Sequence, residues 1–297
     1  MAKDALRILV SRHSAFYSPL IATIAASFLA REGLEATYAV LPKGRHARHM
    51  IRDGEVDVVQ AAVSSNWLPL EQGESDLPVH FAQINQRDGF FLAGQKPDPA
   101  FRWKKLEGAS LVADHAGQPL AMLKYAAHSS GVDWNKIECI DAGEPDQIDA
   151  AFRAGRGNYV HLQGPAPQQL EKEGIGSVVA AVGEAMPAVA FSSVMASREF
   201  LSTDGARSFL RAYTESRAWV QQAPAEEVAA TEAPFFPGID GKALAAAIAR
   251  YQALGCWLGE LEITREHYQQ SLTVFLHSGA ISRSHRYEEV VVPPPIG

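Results

Sequence analysis

Short apolar runs alternate along this chain with longer stretches whose apolar residues recur every three or four positions. Leu6–Val10 is a compact apolar run suited to a parallel strand buried on both faces. Ser18–Arg31 follows with Leu20, Ile21, Ile24, Phe28 and Leu29 at helical spacing, and Gly33 ends it as a C-cap. Glu35–Leu41 reads as a strand, Arg45–Asp53 as a helix stopped by Gly54, and Val56–Val63 as a third strand. The same order then returns. Ala109–Ala113 is a strand, Pro119–Ser129 a helix capped by Gly131, and Lys136–Asp141 a strand. Asp146–Ala154 is a helix stopped by Gly155, and Asn158–Leu162 a strand. One stretch of the two copies aligns residue for residue: Met50-Ile-Arg-Asp-Gly-Glu-Val-Asp-Val-Val59 with Ala151-Phe-Arg-Ala-Gly-Arg-Gly-Asn-Tyr-Val160. In both, a helix ends in Arg-x-Gly-x-x-(Asp/Asn) and drops into a strand.

Strands alternating with helices predict an α/β protein with mainly parallel sheets flanked by helices, and two such units predict two lobes. Val79–Ile84 and Gly89–Ala93 read as strands leaving the first lobe, Lys96-Pro-Asp-Pro99 as a turn-rich crossing, and Ala188–Ala196 as the return, followed by Arg198–Leu201. The expected division is residues 1–94 plus 192–297 in one lobe and 95–191 in the other. The last third reads as helices, Asp204–Gln221, Ala225–Ala233, Gly241–Leu254 and Arg265–Ser278, punctuated by Pro224, Pro234 and Pro237. The tail Val290–Gly297 cannot stay helical past its prolines and is expected along the surface.

In open parallel sheets, ligands bind beyond the carboxyl ends of the strands. That rule nominates Ser11, His13, Phe16 and Tyr17 after the first strand, Ser64, Ser65, Asn66 and Trp67 after the third, and Asn85, Arg87 and Asp88 after the strand near 84. In the second lobe it nominates Asp114, His115, Gly117 and Gln118, then His161 and Gln163. These loops mix hydrogen-bonding groups with aromatics, as a recognition cleft requires. Gly117-Gln-Pro119 opens a helix whose free N–H groups suit a carboxylate, sulfonate or phosphate, or it is only a tight turn. Arg87 with Asp88 is either a carboxylate clamp with its counter-ion or a solvated turn, and Phe16, Tyr17 and Trp67 either stack on a planar ligand or pack in the core. His13, His115 and His161 each end a predicted strand; together they either share acid–base work or bind a metal, or each is a separate ligand-contacting or hydrogen-bonded loop residue. Neither GxxxxGK[ST] nor GxGxxG is present, and no GxSxG elbow supports a catalytic serine.

Composition narrows the classes further. A net charge of −7 gives no basic footprint for nucleic acid, and no window reaches the length of a membrane span. Cys139 and Cys256 stand far apart without metal-ligand spacing and are expected as buried thiols; no cofactor or metal is expected. The stretch before Leu6 is too short for a signal peptide, so the sequence as it stands predicts a cytoplasmic protein, and a periplasmic one if a leader was removed.

The aromatic-Ser-Pro turn leading to Arg31-Glu-Gly-Leu-Glu35, then Gly54-Glu-Val-Asp-Val58, Leu106-Glu-Gly-Ala-Ser-Leu-Val112 and Ser197-Arg-Glu-Phe-Leu201, resembles substrate-binding proteins of nitrate/taurine/sulfonate-type ABC transporters. The resemblance spans roughly residues 6 to 220 and rests on the order of the motifs. It implies a two-lobed periplasmic binding protein type II-like fold joined by two hinge strands. It also implies a small polar or anionic organic ligand, with an ABC permease as partner. The same superfamily includes the pyrimidine-precursor synthase of thiamine biosynthesis, which uses pyridoxal phosphate, iron and a cysteine-rich stretch. This chain has no Cys cluster, and Val58-Val-Gln-Ala-Ala-Val-Ser-Ser65 lacks a Schiff-base lysine. Three readings follow: a binding protein; a cytosolic enzyme on the same cleft, related to that synthase or to an aromatic-acid decarboxylase and using the histidines; and a ligand sensor.

Overall fold

The computed structural model describes residues 5–295; the opening of the N-terminal stretch and the last two residues of the tail lie outside the described residues. Ten strands form two five-stranded sheets. The first contains β1 (Leu6–Val10), β2 (Ala36–Val40), β3 (Val58–Ala61) and β4 (Val79–Asn85). The second contains β5 (Phe90–Gly94), β6 (Ser110–Ala113), β7 (Glu138–Asp141), β8 (Tyr159–Gln163) and β9 (Ser177–Ala181). The chain then returns as β10 (Ser192–Ala196). The strand orders are β2-β1-β3-β10-β4 and β7-β6-β8-β5-β9, so the two sheets share one topology. In each, the strand that has just crossed from the other lobe inserts antiparallel beside the third strand: β10 beside β3, β5 beside β8.

The repeated Arg-x-Gly step has a physical basis. Gly54 and Gly155 both take left-handed backbone, at φ 67° and 81°, where a side chain would be strained. Each reverses the chain from a short helix into the strand beside β1 or β6.

Four expectations are corrected. The crossing out of the first lobe is residues 86–89, not Lys96–Pro99, because β5 hydrogen-bonds wholly within the second sheet; the boundary expected at 94 falls one strand late. Ser18–Arg31 is two helices, Ser18–Ala25 and Phe28–Arg31, since Ser27 sits at φ 60° and interrupts the ladder. Ser177–Ala181, not anticipated as a strand, forms the outer edge of the second sheet. The C-terminal helices Gly241–Leu254 and Arg265–Ser278 pack against both lobes rather than one: the former reaches helix Ala166–Lys172 and the latter helix Gly117–Ser129. The largest apolar core accordingly runs through both lobes without a break. Among the described residues no helix is long and apolar enough to cross a membrane.

The two crossings are tightly braced. The Phe16 ring fills the space at Gly89, where a Cβ would lie 2.3 Å from it. At Gly183 a Cβ would lie 2.4 Å from the carbonyl oxygen of Asp88, so the two crossings touch backbone to backbone. Cys256 O accepts from Gln86 N–H at 3.0 Å, and His267 O accepts from Ala190 N–H at 3.1 Å. Asp88 is fully buried here, with Oδ1 accepting Phe90 N–H at 2.7 Å.

Two outcomes follow. Gly183→Ala forces a side chain onto backbone and is expected to destabilise by about 1–3 kcal/mol in chemical denaturation. Burial pushes the Asp88 carboxyl from 3.8 up to about 8. The folded chain thus keeps a proton that the unfolded chain releases near pH 4, so stability declines as pH rises towards 8, at most by about 1.4 kcal/mol per pH unit, and levels off above. Asp88→Asn keeps the acceptor and carries no charge. Its melting temperature should exceed the parent's most at pH 8.5, with the gap narrowing as pH falls to 5.

Candidate functional site

The carboxyl ends of β1 and β3 face those of β6 and β8 across a gap, and there a cavity of about 410 Å³ opens between the lobes. Ser11, Gln60 and Ser64 approach it from the first lobe, Gln118, Gln163 and Phe90 from the second, and Phe191 from the second crossing. Gln60 is a buried amide inside an otherwise apolar strand; its Oε1 accepts from both the backbone N–H and the hydroxyl of Ser11, at 3.0 and 2.8 Å. That pairing fixes the loop leaving β1.

Polar contacts tie the two lobes together around the cavity. Arg12 reaches across to Asp114 at 2.5 Å, and its guanidinium lies 5.4 Å from the centre of the Phe90 ring. The Ser64 hydroxyl donates to Gln118 Oε1 at 3.0 Å, while Gln118 Nε2 donates to Phe191 O at 2.7 Å. Farther back, Ser14 Oγ donates to Gly164 O at 2.6 Å. Gly164 N–H donates to the Tyr251 hydroxyl at 2.7 Å, which itself donates to Gly89 O at 3.0 Å. One phenol thus links a C-terminal helix, the second lobe and a crossing.

The cavity wall is electrostatically one-sided. Arg12, Arg45, His46 and Arg48 line it, and among the described residues no Asp or Glu does. The balancing carboxylates stand away from the wall: Asp114 on Arg12, Glu55 on Arg45 at 2.6 Å, and Glu74 on Arg48 at 2.9 Å. Ala116, Gln118 and Pro119, at the start of the Gly117–Ser129 helix, add the positive end of a thirteen-residue helix dipole. Tyr17 also lines the wall; burial raises its hydroxyl, with Arg12 pulling the other way. Among the described residues no lysine lines the wall, and no group of three or more His, Cys, Asp and Glu side chains is placed to hold a metal. The residues present therefore fit neither a pyridoxal phosphate Schiff base nor an iron centre.

Of the residues nominated from the sequence, Ser11, Tyr17, Ser64, Ser65, Gln118 and Gln163 line this cavity. Asp114 meets it through Arg12, and Gly117 is exposed at the helix start beside it. The others lie elsewhere. Phe16 is in the core under Gly89. Trp67 is buried with its indole N–H donating to the Tyr268 hydroxyl, and Asn66 donates to Pro78 O. Asn85 is buried and donates to Ser192 Oγ, one step behind the wall. Arg87 and Asp88 form no solvated turn; Arg87 donates to Gly183 O, and both sit on the first crossing.

The three histidines do not converge. His13 faces the far side of Arg12, its Nε2–H donating to Phe235 O at 2.7 Å and its Nδ1 taking the Tyr38 hydroxyl at 2.9 Å; burial lowers its pKa. His161 is fully buried, stacked on Phe90 at 4.4 Å, and burial pushes it down to about 3. His115 turns to the outer side of its loop, where Nδ1–H donates to Ala113 O and Nε2 lies 3.7 Å from the thiol of half-buried Cys139. Cys256, the other free thiol, is buried as expected.

The sequence reading passed over Arg12, Gln60, Phe90, Phe191 and the basic group Arg45, His46 and Arg48. Two signals were available. Arg12 lies inside a nominated loop, and the basic group follows β2, whose strand end obeys the same rule as the others.

Comparison with known proteins fits this architecture. The chain is 26% identical over 283 residues, 94% of its length and 85% of the other's, to a Bacillus subtilis (strain 168) protein named "Putative binding protein YtlA". The ligand-binding component of an ABC-type import system from Staphylococcus aureus superposes with a TM-score of 0.76 at 15% identity, covering 98% of this chain and 97% of that one. The periplasmic aliphatic sulphonate binding protein SsuA from Escherichia coli gives 0.75 at 16% identity, covering 99% and 93%. At such identities the structures share the fold: two lobes of the periplasmic binding protein type. The family described as NMT1/THI5 like matches residues 15–227, most of the chain, and the protein belongs to that family.

Proposed function

We propose that this protein is the small-molecule-binding component of an ABC-type import system, closing its two lobes on one small organic anion. The observation that carries the proposal is the one-sided wall: three arginines, a histidine and a helix N-terminus line the interlobe cavity, and no carboxylate does. An anion entering there gains charge-assisted hydrogen bonds without facing a like charge. The carboxylates behind the wall hold the guanidiniums in place, which lowers the entropy cost of binding. The names of the relatives agree with this role. In it, the protein works outside the cytoplasmic membrane and hands its ligand to a permease.

Closure couples to binding through contacts that exist only when the lobes meet. Arg12–Asp114 and Ser64–Gln118 join loops from different sheets, so a ligand touching both sides favours the closed state over the open one. Acid–base catalysis by the nominated histidines has no common site to work in. His13 has both ring nitrogens engaged, His161 is sealed behind Phe90, and His115 faces away.

The test is a thermal-shift and calorimetric screen of the full chain against small sulfonates, carboxylates and nitrate, with neutral and cationic compounds of similar size. An anion at one hundred times its Kd should stabilise the protein by about 2.7 kcal/mol, with no turnover. Preference for cations, or consumption of the ligand, would refute the proposal. Arg12→Gln should weaken the preferred anion by about tenfold or more, and small-angle scattering should show a more open free protein.

A further inference from the structure

The cleft continues past the first cavity. Arg12 and Gln163 also line a second cavity of about 370 Å³, so these two side chains form the partition between the spaces. The second space has a different character. Two carboxylates, Asp146 and Asp149, line it beside two guanidiniums, Arg12 and Arg153. Asp149 is held by Arg153, which also pairs with Glu173. Phe235, Phe236 and Leu162 supply a broad apolar surface. His13 is pinned by Tyr38 and Phe235 and lies 4.5 Å, centre to centre, from the Phe236 ring, which keeps that wall rigid.

The partition carries the decisive group. Gln163 is only 6% exposed, and apart from the Tyr17 hydroxyl beside it neither its Nε2 nor its Oε1 has a hydrogen-bond partner among the described residues. A buried amide whose donor and acceptor are not both satisfied is costly, about 1–3 kcal/mol for each group left unpaired. Because Gln163 borders both cavities, a group that satisfies it lies at the junction. A compact anion confined to the first cavity leaves the second cavity unfilled.

Resting on the anion reading above, we propose that the ligand is a two-part molecule. An acidic head occupies the first cavity; an uncharged linker with both a donor and an acceptor crosses at Gln163; and a ring-sized apolar end lies against Phe235 and Phe236. An amide linker matches Gln163 at both ends. Gln163 is then a specificity-determining residue for the length and polarity of the ligand.

The test is calorimetric titration of the full chain with two pairs of probes: ethanesulfonate against N-benzoyl-2-aminoethanesulfonate, and propionate against N-benzoylglycine. In at least one pair the benzoylated anion should bind about tenfold or more tighter than its compact partner. Gln163→Leu should cut that ratio, and Ala166→Phe, which puts a ring into the second cavity, should bring it close to one; circular dichroism verifies that both variants fold. Compact anions binding as tightly as benzoylated ones, or a ratio that survives Ala166→Phe, would overturn the two-part ligand while leaving the anion reading intact. Failure of all four anions, with neutral or cationic compounds binding instead, would overturn both.

Discussion

The structure depends on one constraint: the chain passes between its two sheets twice, and the two passages touch. Gly89 yields its side-chain space to Phe16, and Gly183 yields its own to the backbone of Asp88. Two crossings in contact act as a paired hinge, leaving few ways for the sheets to move relative to each other. Each crossing strand inserts antiparallel beside the third strand of its new sheet, which turns the strand ends of one lobe towards those of the other. The cleft follows from the topology before any ligand group is considered.

The C-terminal helices make this arrangement stiffer than two lobes on a hinge would be. Tyr251 holds Gly89 and Gly164 together with one hydroxyl, and Trp257 donates its indole N–H to Phe16 O. The apolar core therefore runs from one lobe beneath the crossings into the other. In the proposed function, opening takes place on the cleft side of this floor, where the interlobe contacts are polar and part-buried: Arg12–Asp114 and Ser64–Gln118. Apolar packing sets the axis, and hydrogen bonds set the position of the latch.

The same division of labour shapes recognition. Charge is concentrated on one wall, with each arginine backed by a carboxylate that does not itself face the cavity. In a chain with a net charge of −7, such an acid-free wall reflects local placement and owes nothing to overall composition. Beyond the Arg12–Gln163 partition the balance shifts to apolar surface. On the proposed reading, ligand charge and ligand shape are read in separate compartments.

By itself the sequence determined the two βαβαβ units, their repeated Arg-x-Gly step and several of the strand-end loops that line the interlobe cavity. Hydrophobic period, helix stops and the strand-end rule are all local, and so legible in one dimension. Ser11, Ser64, Gln118 and Gln163 reach the cavity for that reason. Tertiary structure alone decided which side chain in each loop turns inward: Arg12 does and Phe16 does not, because Phe16 is needed beneath Gly89. It also decided that Trp67 packs against Tyr268 from a helix two hundred residues away, that the histidines part company, and that the last helices brace both lobes. Those outcomes depend on contacts between residues distant in the chain, whose packing no local period encodes.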